Sequence, residues 1–304
     1  MVIFPGALGD LICLLPALRA VGRRYRACSV ELMARAELAE FAVGRMGLAR
    51  GHSIDRREVS ALFSPAADAA AAAAEFFGAF SSIHSFFGFN HSRPREVLPL
   101  ACPGKVFFHP FRPQIGGHIA AAYLEAVEEG TPTNIESPAA SLELQPGDVA
   151  EGRRLAGGCG ANAGRYILLM PGSGSPAKNW PAENYLQLAR RLAQSTAVLT
   201  VLGPAEAHLE RDFSELPIIS NPALGALAGL ARLSSAFVGN DSGVSHLAAA
   251  AGSRGVVIFG PTDPARWRPS GAVSVLRRMP LVDLSPQEVA AAIKVVSKRA
   301  EWHA

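Results

Sequence analysis

The chain has 304 residues, 49% of them apolar and 18% charged, a balance that excludes a disordered or fibrous protein and predicts packed globular structure. The length exceeds one ordinary core and predicts two domains, while a net charge of +3 is too small to mark a nucleic-acid partner. Four scattered cysteines (Cys13, Cys28, Cys102 and Cys159) form no C-x-x-C pair, which argues against a disulfide framework or zinc site and for a reducing cytoplasm.

The first 21 residues are apolar, but no positive segment precedes them, and Gly9, Asp10 and Pro16 interrupt them. They read as a strand and a helix rather than a signal peptide or membrane span. In the first half, strands are expected at 1–4, 28–33, 81–87 and 106–111, with helices near 11–24, 36–45, 66–79 and 117–129. The alanine run at 69–74 is helical because alanine costs least there. Charge is uneven: residues 1–112 carry 13 Lys and Arg against 9 Asp and Glu, and residues 113–150 carry none against 6. Between Thr131 and Ala163 the pattern gives way to Pro, Gly and Ser, with GGCGANAGR (157–165) as a linker tip. A second series follows, with strands at 166–170, 197–202, 217–219, 235–238 and 255–259 and helices at 182–194, 205–212, 223–232, 243–251 and about 285–299. This alternation predicts an α/β protein of two doubly wound, Rossmann-like domains, whose ligands sit at the carboxyl ends of strands.

Four loops after strands carry the chemistry. In FPGALGDLICLLPALRAV (4–21), Gly6 and Gly9 allow a tight turn and Asp10 opens a helix; it is either a helix cap or an ionised carboxylate placed to act as a base. In YILLMPGSGSPAKNWPAENYLQLARRL (166–192), Gly172, Ser173 and Gly174 let backbone and hydroxyl groups approach phosphate oxygens, and Lys178 supplies a point charge. The same stretch matches G-x-G-x-x-A (Gly172, Gly174, Ala177), but the ribose-binding acid of a nicotinamide site is replaced by Gly203 and Pro204. Glu206, in VLGPAEAHLERD (201–212), reads as a helix-start acid or as a ribose ligand. In VGNDSGVSHLAAAAG (238–252), capping of the helix by Asp241 would turn the N–H groups of Ser242, Gly243 and Val244 outward toward a diphosphate. His246, one turn along, is a core histidine or a ligand residue. A Ser/His/Asp hydrolase is disfavoured, since neighbouring residues at a helix start diverge by about 100° and no G-x-S-x-G elbow is present.

Taken together, GALGDLICLLPAL, PGSGSPAKNWP, GPAE and DSGVSHLAAAAGSRGVVIFGPTDP resemble the family 9 glycosyltransferases, among them the ADP-heptose:lipopolysaccharide heptosyltransferases. The resemblance implies a GT-B architecture, two Rossmann-like domains facing across a cleft: an acceptor domain over 1–160, a donor domain over 161–284, and a C-terminal segment, 285–304, crossing back to the first. It also implies an inverting, metal-independent enzyme with no cofactor, using an ADP-sugar as donor. The lack of an Asp-x-Asp pair agrees with that.

By the same resemblance Asp10 is the general base, Ser173 and Lys178 hold the donor phosphates, and Glu206 lies near the ribose or sugar. Asp241 contacts the donor sugar, and Ser242, Gly243 and His246 clamp the pyrophosphate. Arg93, Arg95 and Arg112 are candidates for a phosphorylated or membrane-borne acceptor. The chain departs from the family in reading Asp-Ser-Gly for Asp-Thr-Gly, in placing Phe4 and Pro5 where a basic residue is common, and in lacking an acid after the strand at 81–87. The expected partners are a nucleotide-sugar and a saccharide or lipid-linked saccharide, with no nucleic acid and at most peripheral membrane contact in the cytoplasm. Competing readings are a GT-B nucleotide-sugar epimerase, which needs no acceptor, and a non-catalytic nucleotide- or glycan-binding module, which would bind ADP but release none from an ADP-sugar.

Overall fold

The computed structural model describes residues 1–113, 116–128 and 139–298. The chain divides into two compact units, residues 1–136 and 137–304.

The first unit runs β1 (Val2–Ile3), α1 (Leu8–Arg24), β2 (Glu31–Ala34), α2 (Ala36–Ala42), β3 (Arg50–Ser53), α3 (Arg57–Ala61), α4 (Ala69–Phe77), β4 (Ser82–Ser85), α5 (Ser92–Ala101), β5 (Lys105–Phe108) and α6 (Ile119–Val127). Its five strands are parallel in the order β3-β2-β1-β4-β5. The apolar opening of the chain is therefore β1 and α1, as the interruptions at Gly9, Asp10 and Pro16 predict. Among the described residues no helix is long and apolar enough to cross a membrane. Three elements carry no pattern signal: β3 reads Arg-Gly-His-Ser, α3 has five residues, and α5 contains Pro94 and Pro99.

The second unit runs α7 (Pro146–Gly158), β6 (Tyr166–Met170), α8 (Ala182–Leu192), β7 (Ala197–Leu202), β8 (Ile218–Ser220), α9 (Leu224–Leu233), β9 (Ala236–Asn240), α10 (Gly243–Ala250), β10 (Gly255–Phe259), α11 (Pro264–Trp267), β11 (Val273–Arg277) and α12 (Pro286–Lys298). Its six parallel strands are ordered β11-β10-β9-β6-β7-β8, the doubly wound arrangement again. Every residue of β6, β9 and β10 is buried, as expected of central strands covered on both faces.

The sequence pattern dissolves from Thr131, and 131–138 lie outside the described residues, but 146–158 form a regular helix, α7. Pro146 occupies its first turn, and the carboxylate of Asp148 accepts the backbone N–H of Gln145 at 2.9 Å. The glycines that hide it from pattern analysis are contact residues. Asp148, Gly152 and Ala156 form its buried stripe, and a Cβ on Gly152 would come 2.4 Å from the backbone of Gly229 in α9. The division of the chain accordingly falls ahead of α7, whereas the sequence sets it at 160. Of the C-terminal segment, α12 packs within the second unit, where Val289, Ala290 and Ile293 join Ile167, Trp180, Tyr185 and Leu188 in one core, and 299–304 lie outside the described residues.

In the first unit, two histidines lie buried side by side. His84 Nδ1 is 3.0 Å from His109 Nε2, the rings are stacked, and His84 Nε2 is 3.3 Å from the hydroxyl of Tyr25. Burial, with His109 beside it, pushes His84 down to about 3; burial pushes His109 down to about 4. Both are neutral at pH 7, and one imidazole donates to the other.

Two expectations follow. Gly152→Ala must separate α7 from α9 and should lower stability by about 2 kcal/mol, whereas Gly157→Ala, which meets only open space, should stabilise by about 0.5–1 kcal/mol; urea midpoints of the two variants check this. The histidine pair makes the fold acid-sensitive. Below 6.5 the unfolded chain binds protons that the folded pair refuses, so stability falls with pH until the folded values are passed. The loss should reach about 2 kcal/mol per histidine by pH 5, and the double variant His84→Gln/His109→Gln should show a flatter pH profile of the melting temperature.

Candidate active site

In each sheet the strand order reverses at one place, between β1 and β4 in the first and between β6 and β9 in the second, and a crevice for ligands opens at the carboxyl ends of such neighbours. In the second unit the loop after β6 carries Gly172, Ser173, Gly174 and Lys178, and the turn after β9 carries Asp241 and Ser242.

Asn240, the last residue of β9, is completely buried and joins these two segments. Its Oδ1 accepts hydrogen bonds from the backbone N–H of Trp180 and the hydroxyl of Tyr185, both at 3.1 Å, and its Nδ2 donates to the carbonyl of Pro171 at 2.6 Å. One amide thereby pins both ends of the loop that bears Lys178. Burial pushes the Tyr185 phenol far up, so it stays protonated and able to donate. The Ser245 hydroxyl donates to the Asn240 carbonyl at 2.7 Å, which ties α10 to the same point.

The next residue, Asp241, is 5% exposed, and its backbone N–H donates to Ile258 of β10 at 2.9 Å. Its Oδ2 accepts from Lys178 Nζ at 2.8 Å and from the Thr262 hydroxyl at 2.6 Å. Asp241 does not cap α10, contrary to the sequence reading. Because its N–H still belongs to the strand edge, the cap falls to Ser242, whose extended backbone (φ −150°, ψ 159°) and Oγ, 3.4 Å from the N–H of Ser245, open the helix. The outward amides are therefore those of Gly243 and Val244, which have no carbonyl to bond within the helix. Both residues are partly exposed, and the helix dipole adds positive potential there. His246 is buried in the same turn, with its N–H on the Ser242 carbonyl at 3.2 Å.

Glu206 lies in a 3-10 turn, Pro204–Leu209, where an α-helix over 205–212 was expected. Its Oε2 accepts the N–H of Gly203 at 3.1 Å, and a Cβ on Gly172 would stand 2.2 Å from its Cδ. Glycine at 172 is what lets this carboxylate lie against the loop after β6, the region where a Rossmann unit presents an acid to ribose. Gly174 faces open space and has no such constraint. The Ser173 hydroxyl closes a local turn, donating to the Ser175 carbonyl at 2.7 Å and accepting its N–H at 3.2 Å.

In the first unit Asp10 is the third residue of α1, 8% exposed, and its Oδ2 accepts the N–H of Ala7 at 3.1 Å. The structure thus puts a helix-start carboxylate just past β1, at the switch point, with Gly9 beside it in the first turn. Gly6 is packed against it: a Cβ there would be 2.7 Å from the Asp10 Cβ and 2.4 Å from the Phe4 ring. Of the three arginines, Arg93 is committed to the chain, donating to the carbonyls of Ser64 at 2.8 Å and Ala66 at 3.3 Å. Arg95 and Arg112 are exposed and stack over Phe89 and Phe111, with guanidinium-to-centroid distances of 5.5 and 5.3 Å.

Lys178, Asp241, Ser242 and Gly243 are therefore one constellation, with Glu206 and Gly172 paired at the neighbouring strand end. Sequence reasoning passed over Asn240 and Thr262. The signals were present: an amide as the final residue of an otherwise apolar strand, and a threonine in GPTDP directly after the next strand. Among the described residues no three His, Cys, Asp or Glu side chains gather as a metal-binding group.

Residues 109–282 match the profile of glycosyltransferase family 9 (heptosyltransferase). The chain is 25% identical over 190 residues to lipopolysaccharide heptosyltransferase 1 of Escherichia coli O18:K1:H7, a match that takes in 60% of this chain and 58% of that protein. Among solved structures, a family 9 glycosyltransferase from Veillonella parvula superposes with a TM-score of 0.80 at 18% identity, covering 98% of this chain and 96% of that one. The E. coli ADP-heptose lps heptosyltransferase II superposes with a TM-score of 0.77 at 18% identity, covering 99% and 98%. These likenesses fix the fold as that of GT-B glycosyltransferases.

Asn240→Ala should leave the Trp180 N–H, the Tyr185 hydroxyl and the Pro171 carbonyl unpaired in the interior. With each buried orphan costing about 1–3 kcal/mol, the second unit should lose about 3–5 kcal/mol. Thermal melting and the fluorescence of the buried Trp180 measure both parts of that effect.

Proposed function

Because the chain belongs to glycosyltransferase family 9, we propose that it is an inverting glycosyltransferase that moves a sugar, heptose, from ADP-heptose to a saccharide of the lipopolysaccharide core type. The observation that carries this reading is the constellation at the switch point of the second sheet, where Lys178 pairs with Asp241 immediately ahead of the Ser242 cap and the free first amides of α10. A leaving diphosphate needs this chemistry: a mobile cation and fixed backbone donors that meet charge as it develops. The lipopolysaccharide heptosyltransferases that the chain resembles suggest the sugar and the acceptor class.

In the proposed reaction an acceptor hydroxyl attacks the anomeric carbon of the donor from the face opposite the diphosphate. The bond from that carbon to the diphosphate oxygen breaks, its electron pair leaves with ADP, and the configuration inverts. The acceptor proton goes to Asp10. Lys178 with the Gly243 and Val244 amides receives the charge on ADP, which lets the reaction run without a metal ion, and the Glu206 carboxylate beside Gly172 takes the ribose hydroxyls. Arg95 and Arg112, exposed near the carboxyl end of β5, offer positive charge to an anionic acceptor. The site of action would be the cytoplasm, at most at the membrane surface.

Asp10→Asn keeps size and much of the capping geometry but removes the base. ADP release from ADP-heptose in the presence of acceptor should fall by about 100- to 10,000-fold, with ADP-heptose affinity unchanged by calorimetry. Full activity in that variant would remove Asp10 from the chemistry, and ADP release needing no acceptor would favour a hydrolase or epimerase instead.

A further inference from the structure

Two donors converge on one oxygen of Asp241, and they come from different loops: Lys178 after β6 and Thr262 after β10. They differ in mobility. Lys178 is on a flexible four-carbon stem, with 31% of its side chain exposed. Thr262 is at the root of a fixed turn, since the next residue, Asp263, caps α11 by accepting the N–H of Ala265 at 3.1 Å.

The proposed function puts a diphosphate beside this pair. Its charge competes with a single carboxylate for the lysine ammonium, and when Lys178 turns toward the phosphates, Asp241 is left as a buried anion lacking its cation and close to a second anion. The bond from Thr262 persists, because a neutral hydroxyl gains nothing by following a phosphate away from a carboxylate. Among the described residues both side-chain contacts of Asp241 fall on Oδ2, so Oδ1 is available to a hydroxyl, the donor group that a sugar presents.

Resting on that reading, we infer that Thr262 is a positioning residue: it sets the Asp241 carboxylate for the sugar of the donor and leaves Lys178 to serve the diphosphate. Thr262 then discriminates ADP-sugar from ADP, although it touches neither. A residue holding the whole loop in shape would affect both alike.

The test measures calorimetric Kd for ADP and for ADP-heptose, with kcat, in the wild type, Thr262→Val, Thr262→Ala and Thr262→Ser. Valine keeps the shape and deletes the hydroxyl, serine restores it, and alanine stands in should valine fail to fold. The deletion variants should bind ADP within about twofold of wild type and ADP-heptose about tenfold more weakly, the worth of one hydrogen bond to a charged group. Turnover should fall with them, and Thr262→Ser should recover both. Equal weakening toward ADP and ADP-heptose, or no weakening toward either, overturns the inference and leaves the glycosyltransferase reading standing. Wild-type protein that binds neither compound overturns that reading and the inference with it.

Discussion

The primary amide of Asn240 is the constraint on which the ligand edge of the second unit depends. A strand end in a parallel sheet normally releases its chain into an adaptable loop. Here the final side chain of β9 instead turns sideways and takes the carbonyl before the β6 loop, the amide after it and the first turn of α8, through Tyr185. Only a group with both donor and acceptor ends, too short to reorganise, meets all three needs at a position closed to solvent. Lys178 can then be long and mobile without losing its place, since the rest of its loop is fixed.

The first five strands of each unit take the same order, with a sixth added in the second, yet the two switch points are furnished differently. In the second unit β9 ends in Asn240 and runs into Asp241, and polar atoms fill the edge. In the first unit the corresponding strand, β4, runs into Phe86 and Phe87, and Phe4 after β1 meets Phe86, Phe111 and Tyr123 edge-on at 5.5–5.6 Å. Asp10 therefore follows a strand whose end is packed with aromatic rings, whereas Asp241 is bonded to an ammonium and a hydroxyl. The polar edge of the second unit is the one whose chemistry suits an anion.

Much of this was legible in the sequence where burial is continuous. The strands β6, β7 and β10 begin and end where their apolar runs do, because a covered central strand has no other way to look. Elements whose stability comes from a neighbour were not legible. Edge strand β3 has no apolar run, α5 carries two prolines, and α7 is written in glycines that make sense only against Gly229. The site divides in the same way. Lys178, Asp241, Ser242 and Gly243 stand in local patterns, a Gly/Ser loop and a helix start after a strand, so their neighbourhood could be read from the sequence. Thr262 and Asn240 act through residues 21 and 60 positions away, and only the folded sheet brings those partners together.

The backbone contact of α7 with α9 also governs how the chain can be cut. Gly152 and Gly229 bring two helices closer than any side chain would allow, and such a seam has no substitute partner in solvent. A recombinant half starting at 161, the boundary that composition favours, would discard one side of the seam and leave the glycine face of α9 bare. One starting at 139 would carry its own lining, so the second half of this polypeptide is an independent piece only with its apparent linker attached.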